Sequence, residues 1–418
     1  MVCDYVQTTE LVNTPFATPA DVFRRHYYEI LVLISKALSI YYIAVRIVCQ
    51  PMTITYKILV LFLLATTTHA SQDNTMFRLP KTMRAVGLYK YLPITDVNSL
   101  VDLEVSLPSV RESDVLVEVK ATAVNPIDTK IRAPKPNVET TPRILGWDGA
   151  GIVVSKGDNA NLFNVGDEVF FTGDVSRNGS NAQYMAVDQY LVGRKPKNWT
   201  FEQAAAMPLT TLTACESILD RLLLSEKDKG KSLLIINSAG GVGSVATQVA
   251  KNLGLKVIGT ASRPETQAFT REFGADIVLN HTQDLIPQLE ANGFGAGVDF
   301  ILVNFDPAPY WDTLMKVIKP QGRICLIVDS SALVDLKPLK DKSITLVSEM
   351  MLTRVKYQTE DRIRHYELLQ DITKWMEEGK LKCTLTQTLS PINAANLKKA
   401  HKLLEDKTLI GKLVLTGF

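Results

Sequence analysis

The pattern of hydrophobic and polar residues changes near the middle of the chain. Between Met83 and about residue 200, short apolar runs with β-branched and aromatic residues are separated by turn residues, as at residues 115–119, 151–154 and 167–171. From near Phe201, continuous apolar runs are each followed by a longer amphipathic segment. The first part is therefore predicted to be all-β, and the second to be α/β with a parallel sheet.

Six apolar runs in the second part are predicted to form one sheet. They are residues 233–236, 256–259, 277–279, 300–303, 324–328 and 344–347. Six such strands alternating with helices suit a doubly wound sheet. Between the first two runs, apolar residues recur at helical spacing and predict a helix that packs on the sheet. These residues are Val242, Ala246, Val249, Ala250 and Leu253.

A loop of small residues, Asn-Ser-Ala-Gly-Gly-Val-Gly-Ser at positions 237–244, joins the first strand to this helix. Such a loop lets a pyrophosphate approach backbone N–H groups at the positive end of the helix dipole. An ordinary tight turn is the alternative, but the flanking strand and helix supply the context that dinucleotide binding requires. Ser238 stands where the GxGxxG pattern has its first glycine and is predicted to adopt an ordinary backbone conformation. The predicted cofactor-binding positions are Gly240, Gly241, Val242 and Gly243.

The residues after the second strand indicate which dinucleotide is bound. Ser262 and Arg263 occupy the position where an NAD-binding protein carries an acidic residue for the ribose 2′-hydroxyl. A guanidinium can pair with a 2′-phosphate. We therefore predict NADPH rather than NADH as the cofactor. In the alternative interpretation, Arg263 is a solvated surface charge.

The end of the chain is predicted to return to the first domain. Asn393 is predicted to cap a helix that runs through Glu405, and residues 412–415 are predicted to form a terminal strand. The β domain would then be discontinuous. The predicted organisation is an N-terminal extension at residues 1–80, a β domain at 83–205 that includes 386–418, and an α/β domain at 206–385.

The first eighty residues differ from the rest. Residues 30–48 are mostly apolar, but Lys36 and Arg46 interrupt them, so they fall short of the ~18 uncharged residues of a spanning helix. A second apolar stretch, residues 58–65, is flanked like a secretory signal. A membrane anchor, an internal signal-like segment and an extension outside the working protein all remain open. Residues 71–81 are predicted to be a linker, and the catalytic body to begin near Met83 and fold without what precedes it.

Charge and cysteine content narrow the partners and the compartment. The 46 basic and 44 acidic residues nearly cancel, which argues against a nucleic-acid partner because a phosphate backbone requires a basic face. The five cysteines form no CxxC or Cys/His pair, so neither a disulfide framework nor structural zinc is indicated. This pattern favours a reducing compartment, and the predicted location is the cytoplasm. Membrane association or secretion through residues 1–80 is the alternative.

Six motifs distributed over the chain belong to one pattern. They are Ala-Val-Asn-Pro-Ile-Asp at 123–128, Leu-Gly-Trp-Asp-Gly-Ala-Gly at 145–151, Leu-Thr-Thr-Leu-Thr-Ala at 209–214, the loop at 239–244, Thr-Ala-Ser-Arg-Pro-Glu at 260–265, and the run from 390 to 412. Together they resemble the quinone oxidoreductase branch of the medium-chain dehydrogenase/reductase superfamily, and within it the zinc-type alcohol dehydrogenase-like proteins. The resemblance covers residues 83–418.

This resemblance implies a GroES-like catalytic domain joined to a Rossmann domain, with the nicotinamide in the cleft between them. It also implies a homodimer. By the same likeness, Thr213 would lie near the nicotinamide and His281 near the adenosine half of the cofactor. In the alternative interpretation, His281 is an ordinary loop histidine.

The residues that bind zinc in zinc alcohol dehydrogenases are replaced in this chain. Those enzymes carry a cysteine where this chain has Asn125, Gly-His-Glu where it has Gly146, Trp147 and Asp148, and a further cysteine near Pro208. Catalytic zinc needs three N, S or O ligands around an open position. An amide, an indole and an imino acid do not supply them, and Asp148 alone could not hold the metal. We therefore predict no metal site.

An enzyme without a Lewis acid favours acceptors that disperse charge themselves. A quinone or an α,β-unsaturated carbonyl compound delocalises the charge left by hydride transfer. The protein then needs mainly to position the reactants and to remove water from around them. Asn125 is predicted to hydrogen-bond the substrate carbonyl oxygen, and Lys130 to offer positive charge. Related quinone reductases often carry a tyrosine at the position of Lys130. In the alternative interpretation, Asn125 stabilises its loop before Pro126.

The sequence thus predicts a zinc-independent oxidoreductase that transfers hydride from NADPH to small quinones or enones. Two alternatives remain. One is an NADPH-binding protein with little turnover, and the other is a zinc alcohol dehydrogenase.

Overall fold

The computed structural model describes residues 79–418, and residues 80–418 form one compact unit. The apolar stretches predicted at residues 30–48 and 58–65, and most of the predicted linker, lie outside the described residues. Among the helices between residues 79 and 418, none is both long and apolar enough to cross a membrane.

The first part of this unit is built mainly from antiparallel strands, which confirms the all-β structure predicted from its short apolar runs. The strands are β1 (Thr82–Tyr91), β2 (Val101–Ser106), β3 (Asp114–Ala123), β4 (Lys135–Ile144), β5 (Asp148–Lys156), β6 (Glu168–Thr172), β7 (Tyr184–Asp188) and β8 (Val192–Arg194). The order β2-β1-β4 forms a three-stranded sheet. A short helix that the sequence did not predict, α1 (Pro126–Arg132), begins directly after Asn125.

The second part contains one parallel sheet with strands near the six predicted runs. These strands are β9 (Ser232–Ile236), β10 (Lys256–Thr260), β11 (Ile277–Leu279), β12 (Val298–Val303), β13 (Ile318–Leu326) and β14 (Thr345–Ser348). Their order is β11-β10-β9-β12-β13-β14, and every neighbouring pair is parallel. Because the order reverses direction between β9 and β12, a crevice opens at the carboxyl ends of these two strands. The predicted doubly wound fold is confirmed.

Helices flank this sheet and connect it to the β domain. They are α2 (Phe201–Ala205), α3 (Pro208–Cys215), α4 (Gly241–Asn252), α5 (Pro264–Glu272), α6 (Leu285–Ala291), α7 (Trp311–Val317), α8 (Lys337–Asp341), α9 (Thr353–Lys356), α10 (Arg364–Glu377) and α11 (Ala394–Glu405). Helix α4 buries Ala246, Val249 and Ala250 in the core, with Val242 and Leu253 packed against it at the margin. The apolar face predicted for this helix is therefore confirmed.

The last segment returns to the first domain, as predicted. Helix α11 begins after Asn393, whose side chain accepts from the N–H of Asn396 at 2.8 Å, so the predicted N-cap is confirmed. Strand β15 (Leu385–Leu389) pairs with β16 (Lys412–Thr416), and β16 pairs antiparallel with β3. The larger sheet of the β domain has the order β15-β16-β3-β5-β6-β8, with β7 paired to β3. The chain therefore passes from the β domain to the parallel sheet and back.

A buried carboxyl pair joins the segment after α3 to the end of β14. Glu216 begins a π-helical turn and Glu349 follows β14, and their side chains are 1% and 0% exposed. Glu216 pairs with Arg354, while Arg221 Nε lies 2.5 Å from Glu349 Oε2. Burial, and then the neighbouring Glu216, raise the pKa of Glu349 to about 8. Glu349 therefore keeps its proton at neutral pH, and its carboxyl O–H donates a hydrogen bond to Glu216.

Replacing Glu349 by glutamine is expected to flatten the pH dependence of stability. The pKa of Glu349 is about 8 in the folded chain and 4.5 in the unfolded chain. The stabilisation that this proton contributes is therefore complete below the unfolded-state pKa, and it is lost as pH rises through the folded-state pKa. The loss approaches ~1.4 kcal/mol per pH unit between the two values. Glutamine offers a donor to Glu216 and an acceptor to Arg221 at every pH.

Thermal midpoints measured across this pH range test the expectation. The thermal midpoint of Glu349→Gln should increase relative to that of the wild type as pH rises. Glu290→Gln, at an exposed position of α6, is the control, and its midpoint should follow the wild-type curve. A Glu349→Gln curve parallel to the wild type would mean that Glu349 is already ionised in the folded protein.

Candidate active site

The predicted cofactor loop lies where β9 ends and α4 begins, at the carboxyl edge of the parallel sheet. Asn237 has a left-handed backbone (φ 61°) that turns the chain after β9, and its N–H donates to Thr260 Oγ1 at 2.9 Å. Asparagine tolerates this conformation better than most residues. Ser238 does not have a positive φ, which confirms the prediction of an ordinary conformation there. Its hydroxyl donates to Thr260 O at 3.0 Å.

The glycines let the loop lie close to the start of α4. A Cβ atom on Gly243 would lie 2.5 Å from Asn237 O and 2.6 Å from Ser238 Cα, which are both backbone atoms. Gly240 is the N-cap residue of α4, and no side chain caps it. The first N–H groups of the helix and the positive end of its dipole are therefore available to an anion. This arrangement fits a pyrophosphate.

Ser262, Arg263 and His281 lie just beyond the carboxyl ends of the adjacent strands β10 and β11. The side chain of Arg263 is 38% exposed. Its Nη2 donates to Thr408 O at 3.4 Å, and its Nε lies 3.3 Å from Glu265 Oε1. Both contacts are long, so the guanidinium can exchange them for a phosphate. The structure thus brings the three predicted adenosine-side residues together.

The polar groups of His281 and Thr213 differ in how they are paired. His281 Nδ1 is buried and has no hydrogen-bond partner among residues 79–418, and burial lowers the pKa of His281. Thr213 lies on α3, which packs against α4, and its hydroxyl donates to Leu209 O at 2.8 Å. A buried polar atom without a partner and uncapped helix donors fit a dinucleotide at this edge.

A buried set of polar groups, here named the Lys412 network, joins β16 to β5 and to the residues before α1. Lys412 is 2% exposed, and its Nζ donates to Asn125 Oδ1 at 2.5 Å, to Asp148 Oδ2 at 3.0 Å and to Val124 O at 3.1 Å. Asn125 Nδ2 donates to Asp148 Oδ2 at 2.8 Å, and Asp148 Oδ1 accepts from Leu209 N at 2.7 Å. All three ammonium hydrogens are used. Within the described residues, Asn125 keeps one amide hydrogen without an acceptor.

The Lys412 network touches the cofactor loop. A Cβ atom on Gly241 would lie 3.1 Å from Lys412 Cδ and 2.9 Å from Thr210 Cγ2, so the lysine stem passes directly beside the loop. In addition, the N–H of Gly411 donates to Ala239 O at 3.2 Å. The residue that holds Asn125 in place is therefore also packed against the predicted pyrophosphate site.

Two buried carboxyl groups differ in their surroundings. Burial raises the pKa of Asp148, and the charge of Lys412 opposes that rise. Burial also raises the pKa of Asp128, to about 7. The oxygens of Asp128 accept from the N–H groups of Asn125 at 2.6 Å and Gly146 at 3.0 Å. Asp128 thus ties the loop of Asn125 to the loop that precedes β5.

Comparisons with known proteins identify the family to which this chain belongs. The family described as "Alcohol dehydrogenase GroES-like domain" matches residues 111–198, and the family described as "Zinc-binding dehydrogenase" matches residues 241–364. A zinc-type alcohol dehydrogenase-like protein of Staphylococcus epidermidis is 42% identical over 336 residues, which are 80% of this chain and 99% of that protein. The chain belongs to the medium-chain dehydrogenase/reductase superfamily.

Two other proteins extend this result. A crystal structure of a Rhizobium etli protein assigned as a zinc-dependent alcohol dehydrogenase superimposes with a TM-score of 0.77 at 42% identity, covering 81% of this chain and 99% of that one. An NADPH-dependent alkenal/one oxidoreductase of Arabidopsis thaliana is 36% identical over 258 residues, or 59% of this chain and 62% of that protein. The chain is accordingly an oxidoreductase with a GroES-like and a Rossmann domain, of a superfamily that binds nicotinamide cofactors.

The residues at the zinc positions of medium-chain dehydrogenases do not fit a metal here. Trp147 is fully buried and offers an N–H donor rather than a lone pair. Asp148 is already paired with Lys412 and with the N–H of Leu209, and a bound cation would compete with the lysine. Between residues 79 and 418, no group of three or more His, Cys, Asp or Glu side chains is arranged to hold a metal ion. The prediction of zinc-independent chemistry stays a prediction.

The lysine beside Asn125 is one that the sequence did not single out. Lys130, predicted to offer positive charge, is exposed on α1, and no hydrogen bond or ion pair connects its side chain to another described residue. The ammonium next to Asn125 comes from Lys412 instead. A lysine at the start of an otherwise apolar strand predicts a buried anionic partner, but its spacing in the chain does not tell which one.

Proposed function

We propose that this medium-chain dehydrogenase/reductase is a zinc-independent enzyme that transfers hydride from NADPH to quinones or α,β-unsaturated carbonyl compounds. The observation that supports this most is the Lys412 network. In it, an amide and an ammonium group lie at and beside the positions that carry zinc ligands in zinc alcohol dehydrogenases. Fixed positive charge and a single N–H donor suit an acceptor that delocalises its own negative charge. An alcohol substrate would lack the Lewis acid that gathers the charge of an alkoxide.

In this proposal, Asn125 donates its remaining amide hydrogen to the carbonyl oxygen of the substrate. Lys412 donates to Asn125 Oδ1, and chains of hydrogen bonds polarise one another, so this contact makes the amide N–H a stronger donor. Asp148 fixes the amide orientation by accepting its other hydrogen. When bound, the reduced nicotinamide supplies the hydride. The protein holds the acceptor in place and excludes water.

The choice of NADPH depends on the residues beyond β10. Arg263 is partly exposed and makes only long contacts, so it is free to pair with a 2′-phosphate, and no acidic residue follows β10 directly. The Arabidopsis relative is named as NADPH-dependent and as acting on alkenals and alkenones, in line with this choice and with the substrate class. The homodimer, the cytoplasmic location and the domain boundaries predicted from the sequence belong to the same proposal.

A panel of quinones and enones, assayed with NADPH and NADH side by side on the purified full-length chain, tests the function. We expect acceptor-dependent oxidation of NADPH and slower oxidation of NADH. Saturable NADPH binding without acceptor-dependent oxidation would indicate a cofactor-binding protein instead. About one tightly held zinc per chain, with oxidation of primary alcohols that a chelator abolishes, would indicate a zinc alcohol dehydrogenase.

Replacing Arg263 by alanine is expected to reduce the preference for NADPH over NADH by about tenfold or more, because hydrogen bonds between charged groups contribute ~1.5–3 kcal/mol. The measurement is the ratio of kcat/KM for the two cofactors. Arg271→Ala, which removes an exposed arginine from helix α5, whose N-cap residue is Arg263, is the matched control and should leave the ratio unchanged. An unchanged ratio in Arg263→Ala would make Arg263 a solvated surface charge.

A further inference from the structure

An asparagine with an unused amide lies at the crevice of the parallel sheet, on the side away from His281. Asn304 directly follows β12, and its N–H donates to Ile236 O, the last residue of β9, at 3.3 Å. Both side-chain atoms, Nδ2 and Oδ1, are buried and have no hydrogen-bond partner among residues 79–418. Buried amides are nearly always paired, so an amide with both groups free indicates a missing partner.

The strand order determines which part of a dinucleotide reaches Asn304. The pyrophosphate belongs at the start of α4, which follows β9. The adenosine half belongs beyond β10 and β11, where Arg263 and His281 lie, because these strands are on one side of β9. Strand β12 is on the other side of β9, so the nicotinamide half extends toward the end of β12.

We infer that Asn304 binds the carboxamide of the nicotinamide ring, an inference that rests on the proposed use of a pyridine nucleotide. A carboxamide presents one carbonyl acceptor and one NH₂ donor, and the side chain of asparagine presents the complementary pair. Asn304 Nδ2 donates to the carboxamide oxygen, and Asn304 Oδ1 accepts from the carboxamide nitrogen. The contact fixes the rotation of the ring about its glycosidic bond and thereby the face from which hydride leaves. Asn304 is a positioning residue in this scheme.

The test compares binding of three ligands to the full-length chain by titration calorimetry. NADP⁺ carries the carboxamide, 3-acetylpyridine-NADP⁺ replaces its NH₂ by a methyl group, and 2′,5′-ADP lacks the nicotinamide. The wild type should bind NADP⁺ about three- to tenfold more tightly than the acetylpyridine analogue, which corresponds to one hydrogen bond. Asn304→Ala should lose this discrimination and bind 2′,5′-ADP as the wild type does.

Two controls separate recognition from folding. Because the amide of Asn304 has no partner among residues 79–418, Asn304→Ala should leave the thermal midpoint of the ligand-free chain unchanged, whereas a structural asparagine would lower it. Asn292→Ala, at an exposed position just after α6, should leave all three affinities unchanged. Asn304→Asp provides a second variant, in which a carboxylate faces the carbonyl oxygen, and it should weaken NADP⁺ binding more than alanine does.

The outcomes distinguish the two proposals. A wild type that binds none of the three ligands overturns the proposed use of a pyridine nucleotide. A wild type that binds them, with Asn304→Ala weakening NADP⁺ and the acetylpyridine analogue by the same factor or leaving both unchanged, overturns the role of Asn304 alone.

Discussion

Replacing Lys412 by methionine is expected to destabilise the chain by about 3–5 kcal/mol and to lower kcat by about 10²-fold or more. The substitution keeps the apolar stem that packs beside Gly241 but leaves Asp148 as a buried carboxylate without its cation. Removing one member of a buried ion pair costs more than the pair contributes, because the remaining charge stays desolvated. The loss of activity follows from the amide of Asn125, which loses the donor that fixes its oxygen.

The pH dependence of stability provides a signature of this mechanism. Burial already raises the pKa of Asp148 and Lys412 opposes the rise, so removing the lysine raises that pKa further. A carboxyl group with a raised folded-state pKa loses stability as pH increases, so the gap in thermal midpoint between wild type and Lys412→Met should widen with pH. Lys402→Met breaks an exposed pair with Asp406, the residue that follows α11, and is the matched control, with an expected effect of at most ~1 kcal/mol.

The double variant Asp148→Asn/Lys412→Met completes the test. It removes both charges, so it should recover part of the lost stability and show the pH dependence of the wild type without the widening gap. Its activity should stay low, because Asn125 remains without the ammonium. Equal midpoints for Lys412→Met and Lys402→Met at every pH would contradict the buried pair.

The parallel sheet could be predicted because its strands are buried on both faces. Continuous apolar runs such as 233–236 indicate strands of this kind when helices of amphipathic pattern alternate with them. The cap at Asn393 could also be predicted, since a short polar side chain before a helix acts over three residues. Both features depend on local sequence, and this is why their positions agree with the structure.

Strand β4 could not be predicted from the hydrophobic pattern of its own residues. Residues 135–144 are mostly polar and exposed and include Pro136 and Pro142, so no alternation marks them as a strand. They become extended because they pair with β1, with irregular register, at the edge of a small sheet. Strand β13 likewise begins at Ile318, before the predicted run, where Lys319, Pro320 and Gln321 carry no strand pattern. Pairing with a neighbouring strand determines such segments.

The candidate site also has one part that local sequence predicts and one part that depends on contacts between distant residues. The cofactor loop and the residues after β10 are contiguous, so a motif describes them. The Lys412 network brings together Asn125, Asp148 and Lys412, which are up to 287 positions apart in the chain. Sequence spacing therefore assigned the positive charge to the nearby Lys130, while the structure places Lys412 beside Asn125. Only the return of β16 to β3 makes that contact possible.

Replacing Gly243 by alanine is expected to abolish tight cofactor binding. A Cβ at this position meets the backbone of Asn237 and Ser238 at 2.5–2.8 Å, and backbone atoms cannot move aside as a flexible side chain would. The loop must shift, which costs ~1–3 kcal/mol of stability by overpacking. The shift also moves the N–H donors of α4 away from the pyrophosphate, and the loss of two such charge-assisted bonds weakens NADP⁺ by about 10²-fold or more.

Two other glycines calibrate this expectation. At Gly241 an added Cβ meets only side-chain atoms of Thr210 and Lys412, which can adjust, so Gly241→Ala should cost less stability than Gly243→Ala. At the exposed Gly295 the nearest atom is Glu290 Cγ at 3.7 Å, so Gly295→Ala should leave both midpoint and affinity unchanged. Titration with NADP⁺ and thermal melts of the three variants give the order of their affinities and of their thermal midpoints. Wild-type affinity in Gly243→Ala would mean that the dinucleotide does not use this loop, because no nearby group could replace the displaced N–H donors.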